Sequence, residues 1–264
     1  MIDLNDELEG IEAVFMDLDG TLYLGNNPIK GVNEFLNRLT ERDIKKYYLS
    51  NNSSRSKKDY IGKLASFGIN AIESEILLST DDLLGWLGEN NYSDTYTIGT
   101  KSMCEMLEEN GIKTNSDNPD IIVLGYDTEI NYEKLTKSSI YLHKGIPLVA
   151  SHPDTVCPSP DGGLPDVGAY LALLEATTGV KPIQICGKPN PGMLNHKINE
   201  LGLEAHQVAM IGDRLYTDME MANRVGCLSV LVLSGEATKK DASEAPQKID
   251  VMVESVSSLI TGNN

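Results

Sequence analysis

The run Ala13-Val14-Phe15-Met16 is apolar on both faces of an extended chain and stops on a carboxylate, Asp17. A strand of that kind has to be covered from both sides, as the central strand of a parallel sheet is. The same constraint recurs along the chain. Short apolar runs alternate with helix-period segments almost from end to end, which is the signature of strands joined by crossover helices. Val32, Phe35, Leu36 and Leu39 recur at spacings of three and four and predict an amphipathic helix over 31–43. A second strand is expected over 45–49, ending at Ser50. A helix over about 56–67 then buries Tyr60, Ile61, Leu64 and Phe67 and ends at Gly68, and a third short strand covers 76–78. The predicted class is α/β.

From 81 to about 179 a second series follows: a helix through Leu83, Leu84 and Leu87, a strand over 95–98, a helix over 102–109 and a strand over 121–124. Segments 132–143 and 147–150 continue it. On periodicity alone this block is either more of the same sheet or a separate α/β cap. Patterning then resumes with 183–186, 191–201, 208–211, 217–225 and 228–233, with Pro191 suited to the first turn of its helix. At 264 residues the chain has room for one large domain or two unequal ones.

Charge narrows the partners. Thirty-nine acidic against 22 basic residues give a formal charge of -17, with no basic run or stripe, so a nucleic-acid backbone would be repelled. The longest apolar stretch, 228–233, is far short of the roughly 20 residues of a membrane-spanning helix. The acidic start, Met1-Ile2-Asp3-Leu4-Asn5-Asp6-Glu7, does not resemble a signal peptide, and a cytoplasmic location is expected. Cys104, Cys157, Cys186 and Cys227 form no Cys-x-x-Cys pair and are expected to be reduced, mostly buried thiols.

Four segments carry chemistry. Asp17-Leu18-Asp19-Gly20-Thr21 places two carboxylates two residues apart just past a buried strand, where ligands of open α/β sheets bind. The first is placed to attack phosphorus as a nucleophile, the second to protonate a leaving oxygen and then activate water. By itself the pentapeptide reads more readily as an ordinary acidic turn after a strand. Ser50-Asn51-Asn52-Ser53-Ser54 offers hydroxyls, amides and backbone N–H groups before a helix, as an anion cradle or a capping turn. Lys188, in Gly187-Lys188-Pro189, emerges at the same sheet edge as Asp17, to balance carboxylates and a phosphoryl group or simply to be solvated. In Gly212-Asp213-Arg214-Leu215-Tyr216-Thr217-Asp218, Asp213 ends a strand and Asp218 starts a helix. Both suit a hard cation such as Mg²⁺, and Asp218 also suits a helix cap. All four segments fall at strand ends of one βα series.

On these residues the chain closely resembles the haloacid dehalogenase superfamily of phosphohydrolases, whose four motifs match Asp17 to Thr21, Ser50, Lys188 and Gly212 to Asp218. Leu22-Tyr23-Leu24-Gly25, Ser50 to Arg55, Gly125-Tyr126-Asp127 and Gly187-Lys188-Pro189 are similar to the NagD-like, or 4-nitrophenylphosphatase, branch, and the likeness covers nearly the whole chain. It implies a Rossmann-like parallel-sheet core, residues 1–79 and 181–264, with an inserted α/β cap at 80–180.

The resemblance further implies Asp17 as nucleophile and Mg²⁺ ligand, Asp19 as general acid/base and backbone-carbonyl ligand, and Asp213 as a further ligand. Asp218 then supports the metal, directly or through water. Ser50, the Asn51 backbone and Asn52 would bind phosphate, with Lys188 stabilising the nucleophile and the transferring charge. Asp19 stands where P-type ATPases, which resemble this chain at the nucleophile, carry Thr, and this favours hydrolysis of the intermediate. His152 and Asp154 lie in a segment similar to the part of the cap that faces the core, and are substrate-contact candidates, while Arg55 could reach a second anionic group.

The expected protein is thus a Mg²⁺-dependent phosphomonoesterase for a small phosphorylated metabolite such as a sugar phosphate or nucleotide, acting through an aspartyl-phosphate. No nucleic acid and no membrane is expected, and a homo-oligomer stays open. The alternatives are a phosphotransferase to an alcohol acceptor and a non-catalytic phosphometabolite-binding protein.

Overall fold

The computed structural model describes residues 3–4, 6–157 and 161–261. The chain divides into two compact units. The first comprises the residues up to Ser50, Tyr60–Leu77 and those from Pro189 on; the second comprises Asn51–Asp59 and Leu78–Lys188.

A six-stranded sheet organises the first unit, in the order Val251–Val253, Leu228–Val232, Val208–Gly212, Ala13–Asp17, Lys45–Ser50 and Ile76–Leu78. Strand Ala13–Asp17 lies parallel to its neighbour on each side, and Ala13, Val14, Phe15 and Met16 are all fully buried. That burial on both faces explains the unbroken apolar run. Alternation sends Ala13 and Phe15 to one face, where they join Tyr47, Leu49, Val208 and Met210 against Met193, Leu194 and Ile198 of helix Gly192–Leu201. The Phe15 and Tyr47 rings stack there with centroids 5.0 Å apart. Register brings the strand ends level: Asp17 pairs with Leu49, and Met16 with Ile211. Asp17, Ser50 and Asp213 therefore leave the sheet along one edge.

The second unit is a three-layer α/β/α arrangement on a four-stranded parallel sheet, ordered Gln184–Ile185, Leu148–Ala150, Ile121–Leu124, Thr95–Ile98. Ile121 and Val123 face a cluster with Leu83, Leu87, Met103 and Leu107, and Ile122 and Leu124 face one with Leu142, Val167 and Leu174. Trp86 packs beside the first cluster and stacks on Tyr92, with ring centroids 5.7 Å apart.

Several expectations shift. The second unit runs on to Lys188, because Gln184 and Ile185 pair with Val149 and Ala150 of the smaller sheet. Residues 51–59 also join that unit. In helix Lys57–Ser66 only Tyr60 and Leu64 are buried; Ile61 and Phe67 are half-buried. Helix Val167–Thr178 is absent from the sequence reading because apolar residues surround it and leave no period to detect. The ribbon Tyr23–Leu24 with Asn27–Pro28 and the half-exposed outer strand Val251–Val253 are likewise additions. All four cysteines are free, and Cys104 and Cys157 are only partly buried. No helix among the described residues is long and apolar enough to cross a membrane.

The Phe15 stack sits at the middle of the first unit's core. Phe15→Ala is expected to lower the unfolding free energy by about 3–5 kcal/mol in urea denaturation followed by far-UV circular dichroism.

Candidate active site

One carboxylate oxygen from each of Asp17, Asp213 and Asp218 lies within 4.8 Å of the others. Asp17 is the last residue of its strand, Asp213 follows Gly212 at the end of the neighbouring one, and Asp218 returns on the turn after it. Asp213 is only 2% exposed and Asp218 is fully buried. Asp213 Oδ2 accepts the Glu236 N–H at 2.7 Å, whereas Asp213 Oδ1 is buried with no hydrogen-bond partner among the described residues. Glycines wall this carboxylate. A Cβ at Gly20 would come 2.2 Å from Asp213 Oδ2 and one at Gly235 2.0 Å, and Gly20 also holds a φ of +96°. Only glycine allows so close an approach.

Asp218 is not the N-terminal cap of its helix. A π-helical turn, Leu215–Met219, begins before the expected start at 217 and runs into helix Glu220–Val225. From inside that turn Asp218 Oδ2 reaches back to accept the Arg214 N–H at 3.1 Å. Such turns are frequent at functional sites because they re-aim a side chain.

Electrostatics in this cluster are adverse without a cation. Burial first, and the Asp17 and Asp218 charges second, push the Asp213 carboxyl up to about 8. Three carboxylates, one with an oxygen that meets no hydrogen-bond donor among the described residues, suit an oxygen-loving divalent ion such as Mg²⁺. Arg214 offsets part of the charge. Burial opposes its ionisation, but Asp17 and Asp213 more than compensate, and its Nε lies 3.0 Å from Glu236 Oε2. The Tyr216 hydroxyl donates to the same Glu236 oxygen at 3.2 Å. Glu236 thus ties Arg214, Tyr216 and Asp213 together. The sequence reading gave it no role, since it follows an apolar strand in an unpatterned Ser-Gly-Glu segment.

The remaining residues fall in place as follows. Asp19 is exposed, outside the acidic cluster, and its Oδ1 accepts the Gly25 N–H at 3.3 Å. Ser50 Oγ lies 2.9 Å from the Tyr60 hydroxyl. In the second unit, the Asn51 side chain brackets Lys188. Its Oδ1 accepts the Lys188 N–H at 2.8 Å, and its Nδ2 donates to the Lys188 carbonyl at 2.9 Å and to Asp154 Oδ2 at 3.1 Å. Lys188, only 3% exposed, is not a solvated surface lysine. Asn52 Oδ1 accepts from both the backbone N–H and the hydroxyl of Ser54, so that side chain shapes its own turn. Arg55 is exposed and His152 fully buried.

The family model for haloacid dehalogenase-like hydrolases matches residues 14–113, and a second, HAD-hydrolase-like model matches 185–259. The acid sugar phosphatase of Staphylococcus epidermidis is 31% identical, over 87% of this chain and 89% of its own. The chain belongs to the haloacid dehalogenase-like hydrolases. Among solved members, this hydrolase is similar to the 4-nitrophenylphosphatase of Thermotoga maritima, with a TM-score of 0.93 and 36% identity over 97% of this chain and 98% of that one. It is also similar to the glycerol phosphate phosphatase of Mycobacterium tuberculosis in complex with magnesium, with a TM-score of 0.90 and 26% identity over 98% and 79%. These likenesses place it in the NagD-like, or 4-nitrophenylphosphatase, branch.

Two outcomes are expected. The raised Asp213 carboxyl makes the folded metal-free protein hold a proton that the unfolded chain releases near 3.8, so its contribution to stability is lost as pH rises toward about 8. Mg²⁺ binds the deprotonated form, so thermal melts should show a Mg²⁺-induced rise in Tm that grows across this window and flattens in Asp213→Asn. Gly235→Ala, by displacing the Asp213 carboxylate, should weaken Mg²⁺ binding in calorimetry by at least about tenfold.

Proposed function

We propose that this hydrolase is a Mg²⁺-dependent phosphomonoesterase acting on a small organic phosphate, such as a sugar phosphate, through an aspartyl-phosphate on Asp17. The observation that carries this reading is the convergence of Asp17, Asp213 and Asp218 at one sheet edge, with one buried Asp213 oxygen that meets no hydrogen-bond donor among the described residues. The names of its relatives support it: acid sugar phosphatase, 4-nitrophenylphosphatase, and a magnesium-bound glycerol phosphate phosphatase all denote enzymes of small phosphate esters. The second unit, with its own sheet and core, is the proposed cap.

Asp17, Asp213 and Asp218 would hold the ion. Bound Mg²⁺ supplies neutralising charge to the attacking carboxylate and the phosphoryl oxygens. In the first half-reaction an Asp17 oxygen forms a bond to phosphorus as the bond from phosphorus to the ester oxygen breaks. The departing oxygen keeps that electron pair and takes a proton from the Asp19 carboxyl. In the second, Asp19 as carboxylate removes a proton from water, the water oxygen bonds to phosphorus, and the Asp17–phosphorus bond breaks. Inorganic phosphate leaves, and Asp17 and Asp19 return to their starting states. The exposed position of Asp19 on the turn after the strand leaves it open to the leaving group and to the attacking water. Following the family motifs, the Ser50 hydroxyl and the Asn51 backbone N–H donate to phosphoryl oxygens, and the Lys188 ammonium stabilises the charge that builds on them.

The test is phosphate release from p-nitrophenyl phosphate, sugar phosphates and glycerol phosphates, with Mg²⁺ or with chelator. Wild type should be active only with the metal, Asp17→Asn should fall to background, and Asp19→Asn should lose about 10²–10⁴-fold in kcat. Silence of the wild type on every ester, or full activity in Asp17→Asn, would sink the reading.

A further inference from the structure

A second group of metal-ligating side chains lies wholly within the second unit. His152, Asp154 and Asp166 each offer an atom within 4.8 Å of the others. His152 Nδ1 is 3.6 Å from Asp154 Oδ2, and Nε2 is 3.6 Å from Asp166 Oδ1. The imidazole is fully buried, and neither ring nitrogen has a hydrogen-bond partner among the described residues. An imidazole in that state is costly unless something occupies the gap, because a buried donor and a buried acceptor are both left unmet. Had His152 simply been held by one carboxylate, the separation would be about 2.7–3.2 Å. One ring nitrogen and one oxygen of each carboxylate lie within 4.8 Å of one another, a spread that small side-chain movements bring to the roughly 3.3 Å between neighbouring ligands on a tetrahedral zinc ion with bonds of about 2.0–2.1 Å.

Both carboxylates have other tasks. Asp154 accepts the Asn51 amide, and Asp166 Oδ1 accepts the Val167 N–H at the start of helix Val167–Thr178 at 2.7 Å. A carboxylate offers about four acceptor positions and can bind a cation while it accepts hydrogen bonds. Burial pushes the His152 pKa down to about 4, which keeps the ring in the neutral form that ligates metals.

We propose that His152, Asp154 and Asp166 form a divalent transition-metal site, of the zinc class, inside the second unit. An imidazole with two carboxylates suits a borderline ion over Mg²⁺, which favours oxygen donors and retained water. The three ligands bracket one excursion of the chain. His152 and Asp154 precede the two-stranded ribbon of Val156–Cys157 with Leu164–Pro165, and Asp166 follows it directly. At its base the Asp166 N–H donates to the Thr155 carbonyl at 3.1 Å and the Gly168 N–H to the Asp154 carbonyl at 2.8 Å. A bound ion staples that base together. This inference does not depend on the phosphatase reading, since the acidic cluster of the first unit contributes no ligand.

The test titrates chelator-stripped, untagged full-length protein with Zn²⁺ in excess Mg²⁺, reading stoichiometry by calorimetry and by metal analysis after dialysis. One Zn²⁺ per chain is expected in wild type and in Asp213→Asn. Asp166→Asn keeps a good helix cap, so a merely structural Asp166 would leave Zn²⁺ affinity unchanged, whereas a ligand's loss weakens it at least tenfold. His152→Asn should do the same, and covers the case in which Asp166→Asn fails to fold. Co²⁺ in place of Zn²⁺ should give tetrahedral d–d absorption in wild type that disappears in both variants. No Zn²⁺ bound over Mg²⁺, undiminished affinity in Asp166→Asn, or a cobalt spectrum with thiolate charge-transfer bands would overturn the proposal.

Discussion

Mutual repulsion among three carboxylates, two of them buried, is the constraint around which the first unit is arranged. Asp17, Asp213 and Asp218 are brought together by strand register and a π-helical turn, although the Asp17 and Asp218 charges add to the cost of ionising the buried Asp213. The surroundings restrain Asp213 without neutralising it. The Glu236 N–H fixes one oxygen, Gly20 and Gly235 leave no room for a side chain, and Arg214 supplies partial compensation. Metal-free, the cluster relieves this repulsion by holding a proton on Asp213; a cation that displaces the proton neutralises it instead.

How much of this was legible in the sequence depended on whether burial left a pattern. Strands Ala13–Asp17, Ile121–Leu124 and Val208–Gly212 are buried on both faces, so their apolar runs are continuous and easily read. Asp17 and Asp213 were legible with them, as carboxylates at the C-terminal ends of such strands. Helix Val167–Thr178 was not, because Leu173 is exposed while Val167 and Leu174 are buried, and the apolar residues have no single face. Strand Val251–Val253 lies at the sheet edge with Met252 half exposed, and too little of it is buried to leave a signal. Roles set by tertiary hydrogen bonds were beyond reach. Nothing local to Asn51 says that its amide holds the Lys188 backbone 137 positions away, or that Asn52, with the same chemistry, serves its own turn.

The two units handle buried polarity in contrasting ways. In the first, the surplus is negative charge, and the missing partner is positive. In the second, most buried polar groups are met by protein: Asn51 by Lys188 and Asp154, Asp127 by Lys134, and the Gly187 N–H by Asp82. Against that background the unpaired ring of His152 stands out. Well-satisfied networks rigidify what they touch, so an unmet group inside one marks a place where something else belongs.

The stacked pair Trp86 and Tyr92 has a practical consequence for anyone following this chain in solution. Trp86 is the only tryptophan in the sequence, and it lies in the second unit. Intrinsic tryptophan emission is therefore a one-sided reporter: it senses the environment of the smaller sheet and carries no direct signal from the six-stranded sheet that bears Asp17. The peptide-backbone signal averages over both sheets, so a transition seen by the backbone and missed by tryptophan belongs to the unit that lacks Trp86.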